Sequence, residues 1–193
     1  MSSARLVVLA SGAGTTLQAI LDAATDPTWG AEVVALGTDR HDTGAQRRAE
    51  AAGVPVWTVR LEDCEDRPAF DAAVAARLAA EAPDLVAMAG WMKILGPAVV
   101  RRFRCVNTHP ALLPAFPGAH AVRAALVAGA TESGATVHEV DEGVDTGPVL
   151  AQARVPVLSG DTEDTLRARI QAVERPLFVD TIGRLARQEA VIP

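Results

Sequence analysis

The 193-residue chain carries a formal net charge of −6, with 49% hydrophobic and 22% charged residues. That length suits one domain, residues 1–193, with a single substantial core, and the composition excludes both a disordered chain and a disulfide-stapled mini-protein. Acidity without a Lys/Arg cluster argues against nucleic acid as a partner; without an apolar run of about 18 residues or a basic, apolar leader, neither membrane span nor signal peptide is expected, and the expected location is the cytoplasm.

In chain order, hydrophobic patterning gives a strand, turn, helix rhythm. Leu6–Ala10 is a continuous apolar run and reads as a buried strand, Thr15 to about Ala24 is helical, and Glu32–Leu36 is a second strand. A helix is expected over Thr43–Ala52, stopped by Gly53, then a strand over Val54–Val59, an alanine-rich helix over Pro68–Ala80 and a fully apolar strand over Asp84–Ala89. Strands without alternation imply a parallel sheet covered on both faces. A short helix over Pro97–Phe103 and a brief strand over Cys105–Asn107 lead into a stretch that Pro110, Pro114 and Pro117 keep from being helical. A helix is expected from Ala119 to Ala128. The extended segments Ala135–Val140 and Val149–Val157 flank an acidic loop, Asp141–Pro148. The last helix starts at Asp161 or Thr162 and passes Arg175, with Pro176 expected to bend or interrupt it. The fold implied is α/β: a doubly wound, mostly parallel, Rossmann-like sheet whose C-terminal half gains an antiparallel strand, the two halves sharing one sheet. Ligands then sit at the carboxyl ends of the strands, where Gly14, Gly90 and Asn107 fall.

Three segments carry candidate chemistry. Ser11-Gly12-Ala13-Gly14-Thr15-Thr16-Leu17 joins the first strand to the first helix; its glycines permit a tight turn, and free amides at a helix start suit a phosphate, although a plain turn would read the same. A dinucleotide site fits less well, because Leu17 stands at the third glycine position, even though Asp39 lies where a ribose-binding acid would. Asn107-Thr108-His109-Pro110 sets an amide and an imidazole two residues apart, on one side of an extended chain. The amide can hold an oxyanion and the histidine can exchange protons near neutrality; a capped turn with a surface histidine is the alternative. In the acidic loop, Asp145 is suited either to orient that histidine and favour its imidazolium, or to be one charge of a solvated hairpin.

Other polar residues read as structural. Cys64 and Cys105 lack metal-knuckle spacing, so no metal is expected. Trp29, Trp57 and Trp91 read as packing, His41 as surface, His120 and His138 as structural hydrogen-bonders, and Arg101, Arg102 and Arg104 as a solvated helix face.

The loop Ser11-Gly-Ala-Gly-Thr-Thr-Leu-Gln, the run Asn107-Thr-His-Pro-Ala-Leu-Leu-Pro-Ala-Phe-Pro-Gly and the run Gly134-Ala-Thr-Val-His-Glu-Val-Asp-Glu-Gly-Val-Asp-Thr-Gly-Pro together resemble the glycinamide ribonucleotide formyltransferases, within the folate-dependent formyltransferase superfamily. The resemblance spans nearly the whole chain. It implies transfer of a formyl group from 10-formyltetrahydrofolate, as co-substrate, to the amine of glycinamide ribonucleotide, without metal, in a monomer or homodimer. It assigns Asn107 to the formyl oxygen, His109 to proton transfer and Asp145 to tuning that histidine. The amides of Gly14, Thr15 and Thr16 would hold the substrate phosphate, with Gln171 and Glu174 at its amine and ribose end. Arg67, Met92, Lys93, Ile94 and Leu95, with Asn107, Val140, Asp141 and Asp145, would meet the folate. The related formyltetrahydrofolate hydrolases, which use water as acceptor, are the nearest alternative, and a non-catalytic nucleotide-binding module would have no use for Asn107, His109 and Asp145 together.

Overall fold

The computed structural model describes residues 3–189. It divides into two compact units: the described residues up to Val106 together with those from Ile182 onward, and Asn107–Thr181.

The first unit is an alternation of strands and helices: β1 (Ala4–Leu9), α1 (Thr15–Ala23), β2 (Ala31–Thr38), α2 (Gly44–Ala51), β3 (Val56–Thr58), α3 (Arg67–Glu81), β4 (Leu85–Met88) and α4 (Pro97–Val100). The strands run in the order β3-β2-β1-β4 and are parallel, with Leu6 level with Leu85 on one side and Val33 on the other. Leu6, Val7, Val8 and Leu9 have no exposed surface, as a strand without polar alternation requires. Helix α3 buries Phe70, Val74 and Leu78 at a four-residue spacing, which makes one apolar stripe. Asp66 starts this helix by accepting from the Ala69 amide at 2.8 Å, and Thr43 starts α2 by accepting from Gln46 at 3.0 Å. The chain begins at the centre and steps outward to β3 before it crosses to β4 on the far side of β1. This doubly wound topology makes the ends of β1 and β4 the place for a ligand.

In the second unit, the end of β5 (Cys105–His109) is followed by α5 (Ala121–Val127), β6 (Glu132–Glu139), β7 (Val149–Pro156) and α6 (Glu163–Glu189), which continues beyond the unit. β6 and β7 are antiparallel, from Glu132 opposite Pro156 to His138 opposite Val149, and the register shifts between Val137 and His138. Val122, Ala135, Val155, Leu166 and Ile170 form its core. The expected α/β fold, mostly parallel with an antiparallel strand in the C-terminal half, is thus the one observed.

Two expectations are corrected. β5 reaches His109 instead of ending at Asn107, so the histidine sits in a strand and is buried. Pro176 does not interrupt α6. The missing N–H deprives only the Ala172 carbonyl of its helical partner, and Ala172 and Pro176 both lie on the exposed face, where solvent absorbs the defect.

Candidate active site

Side chains of β5 alternate. Asn107 and His109 turn toward β6 and the acidic loop, while Thr108 between them turns toward α6. His109 is 4% exposed. Its Nδ1 lies 3.2 Å from Asp145 Oδ2 and its Nε2 2.8 Å from the Phe116 carbonyl. Both ring nitrogens face acceptors, an arrangement that only the doubly protonated ring satisfies in full. Asp145 and Phe116 both hold left-handed backbones, φ 56° and 55°; non-glycine residues rarely adopt this conformation, and only surrounding structure maintains it.

Asp145 is shared. Its Oδ2 also accepts from the Gly118 amide at 2.8 Å, and its Oδ1 lies 3.5 Å from His138 Nε2. The contact with His138 does most to hold the Asp145 carboxyl below the usual carboxylate range; the Gly118 amide and the nearby His109 act in the same direction against partial burial. His138 is 2% exposed. It donates from Nδ1 to the Glu139 carbonyl at 2.8 Å, which aims Nε2 at Asp145 and, at 3.4 Å, at the Asn107 amide nitrogen. The register shift at His138 sets that aim, as strand irregularities beside active sites often do. The cluster therefore presents an amide donor, an imidazole whose two nitrogens both face acceptors, and a carboxylate that keeps its charge: the set needed to stabilise a tetrahedral oxyanion and to move one proton. With these nitrogens committed, the trio does not resemble a metal site, and no group of three or more metal-ligating side chains occurs among the described residues.

The remaining second-unit residues are Val140, Asp141, Gln171 and Glu174. Asp141 is spent on its own loop, accepting from the Gly143 amide at 3.0 Å and the Thr146 hydroxyl at 2.7 Å. Val140 precedes it and is half-buried. Gln171 Oε1 lies 3.4 Å from an Arg175 nitrogen, and Glu174 accepts from Thr108 Oγ1 at 2.9 Å. Burial pushes the Glu174 carboxyl up, outweighing that hydrogen bond.

In the first unit, Gly14 is the residue before α1, at φ 73°. A Cβ there would lie 2.5 Å from the Ala45 Cα, so no other residue fits. No side chain caps α1 and no acidic residue stands in its first turn, which leaves the Thr15 and Thr16 amides at a positive helix end. Arg48 braces the loop from behind, reaching the Ala13 carbonyl at 3.1 Å and Gln18 Oε1 at 2.9 Å. The Ser11 hydroxyl accepts from the Met92 amide at 2.9 Å, tying the loop to the segment after β4. In that segment Met92 and Ile94 are 69% and 58% exposed while Leu95 is buried, a pattern suited to an apolar ligand face. The two cations at this segment are held by protein groups: Arg67, at the start of α3, donates to the Ile94 carbonyl and pairs with Asp71 at 3.4 Å, and Lys93 pairs with Asp39 at 3.1 Å. Asp39 also lies 3.5 Å from Arg40, and its side chain has no exposed surface.

Within the second unit, the expected Asn107, His109 and Asp145 come together, and Gly14, Thr15 and Thr16 form the start of α1. The sequence reading set His138 aside, and it did not weigh the Phe116 carbonyl, the Gly118 amide or Thr108 at all. A signal for His138 exists: with Ser133 and Thr136 it is one of three polar residues buried in this strand. A strand in that setting needs partners for them.

Residues 4–182 match the family model for formyl transferases. The chain is 56% identical over 185 residues to a phosphoribosylglycinamide formyltransferase of Mycobacterium tuberculosis (strain H37Rv), covering 95% of this chain and 85% of the relative. It is 41% identical over 191 residues to the enzyme of that name from Escherichia coli (strain K12), covering 95% and 90%. The crystal structure of glycinamide ribonucleotide transformylase 1 from Symbiobacterium toebii superimposes with a TM-score of 0.93 at 44% identity, covering 96% of this chain and 89% of that one. With the family model matched over most of its length and these identities over nearly all of it, the chain belongs to the formyl transferase family.

Proposed function

We infer that the chain has phosphoribosylglycinamide formyltransferase activity: it moves the formyl group of 10-formyltetrahydrofolate to the amine of glycinamide ribonucleotide, giving formylglycinamide ribonucleotide and tetrahydrofolate in purine biosynthesis. The observation that carries the mechanism is the 3.2 Å pair that Asp145 of the acidic loop makes with His109, in the strand that also supplies Asn107. The substrate amine attacks the formyl carbon, and the carbonyl oxygen becomes a tetrahedral oxyanion. The Asn107 amide and the His109 imidazolium stabilise that charge. The amine gives up one proton, and the folate nitrogen gains one as the carbon–nitrogen bond breaks. His109 supplies the folate's proton once its Nε2 leaves the Phe116 carbonyl, directly or through a water held near Asp145, and the proton given up by the amine restores the imidazolium. Asp145 keeps the ring oriented and charged.

The Gly14, Thr15 and Thr16 amides hold the substrate phosphate, and Gln171 and Glu174 meet the amine and ribose end. Met92 and Ile94 face the folate ring with Leu95 buried beneath them, Lys93 in that turn and Arg67 at the start of α3 are the basic residues on the folate side, and Asn107, Val140, Asp141 and Asp145 lie beside the formyl group. On this reading residues 1–193 act as one formyltransferase domain, phosphate-binding in its N-terminal half and folate-binding and catalytic in its C-terminal half. It works in the cytoplasm on two small substrates, without metal, nucleic acid or membrane, as a monomer or a homodimer.

The test is a single assay. Purified protein mixed with glycinamide ribonucleotide and a 10-formylfolate donor is expected to give the formylated ribonucleotide in step with deformylated folate. Formate release without need of the ribonucleotide would make the chain a hydrolase and overturn the reading.

A further inference from the structure

The mechanism leaves one polar residue of β5 without a task. Thr108 stands between Asn107 and His109, and its hydroxyl donates to Glu174 Oε1 at 2.9 Å, joining positions 66 residues apart. Both residues are half-buried, so the bond is protected from competing water. A glutamate has three side-chain torsions, and a substrate hydroxyl can be recognised only if they are fixed beforehand. The charged groups that act on Glu174 are Arg175 and Arg167 on its own helix and His109 on β5, all weaker than its burial and than the Thr108 hydroxyl. Thr108 is therefore its strongest polar restraint among the described residues.

We propose that Thr108 is a positioning residue for the ribonucleotide substrate: its hydroxyl engages Oε1 of Glu174 and so presents Oε2 to a hydroxyl or amine hydrogen of the substrate. This rests on the reading of Glu174 as a ribonucleotide contact. The β-branched shape of threonine keeps β5 regular, and its hydroxyl orients a carboxylate that the helix alone would leave to several rotamers. The same bond favours the charged form of Glu174 against burial, so its loss moves protonation of Glu174 to higher pH.

The experiment measures KM for glycinamide ribonucleotide and for the folate donor, across pH, in Thr108→Val, Thr108→Ser and Glu174→Gln. Valine keeps the volume and the β-branch and removes only the hydroxyl. Thr108→Val is expected to raise KM for the ribonucleotide about tenfold, the size of one hydrogen bond to a charged group. KM for the folate donor stays within about twofold, and the acid limb of kcat/KM for the ribonucleotide moves to higher pH. Thr108→Ser restores both. A loss through packing alone would raise both KM values and leave that limb in place, which would overturn the proposal. If Glu174→Gln weakens ribonucleotide binding while Thr108→Val behaves as wild type, the positioning role fails and the Glu174 contact stands. If Glu174→Gln leaves that KM unchanged, the contact itself fails, and the proposal with it.

Discussion

In the loop after β1, the groups that prepare an anion site are backbone, a glycine at φ 73° and two amides at an uncapped helix start, and a side chain enters only as the brace from Arg48 onto a carbonyl. Around His109 the reverse holds, for the reactive groups are side chains drawn from β5, β6 and the acidic loop, and backbone enters only to hold them, through the Phe116 carbonyl, the Gly118 amide and the Glu139 carbonyl. A backbone site is written in consecutive residues and tolerates side-chain change, so Thr15 and Thr16 can vary while Gly14 cannot. A side-chain site depends on pairings across long separations and tolerates little. Substitutions in the two regions should therefore fail in different ways: binding of one substrate in the loop, rate and pH dependence in the cluster.

The largest effect is expected at His109. Replacement by asparagine keeps a donor for Asp145 and removes the proton-transferring ring, so kcat should fall by about 10²-fold or more. Because His109 is buried, a thermal melt must accompany the kinetics, and a folded variant within tenfold of wild type would take His109 out of the chemistry. Asp145→Asn comes next, at about 10-fold to 10²-fold near neutrality. Asparagine tolerates the left-handed backbone at this position, which isolates the loss of charge. The wild-type carboxyl titrates below the usual range, so its contribution to rate and to stability is present at neutral pH and is lost only as pH falls through that lowered value. The wild-type and variant profiles should converge in acid below the ordinary carboxylate range. Convergence already at pH 5 to 6 would show that Asp145 is not held charged by its histidines. The smallest effect is expected in the loop: Gly14→Val forces a Cβ into Ala45 and should raise KM for the ribonucleotide about tenfold with little change for the folate. An equal rise for both substrates would erase the distinction between the regions.

The same contrast separates the parts of the molecule that are legible in the sequence from those that are not. β1 and β4 were legible because Leu6–Leu9 and Leu85–Met88 are unbroken apolar runs, and the Gly14 turn because its residues are contiguous. Asn107, His109 and Asp145 were legible as types in promising segments, but their convergence was supplied by a family resemblance. His138 was set aside because a histidine inside a strand reads as structural until the register shift beside it turns the ring toward Asp145. Thr108 escaped because strand alternation sends it away from its neighbours, to a helix 66 positions later. At Pro176 the interruption does not occur: in a long helix, one lost hydrogen bond on an exposed face is a small defect beside the buried Phe178 and Ile182.

The pair of Lys93 with Asp39 has a consequence for handling the protein. Lys93 is the only lysine among 193 residues, so an amine-directed dye or crosslinker meets a single side-chain target, situated in the turn assigned to the folate. Its ammonium is partly exposed and leans on a carboxylate with no exposed surface. Acylation would remove the positive charge and leave Asp39 facing Arg40 alone, loosening the segment that Met92 ties to Ser11. A reporter placed there would thus read the state of the β4 turn, and it would do so from a chain that needs no engineered labelling position.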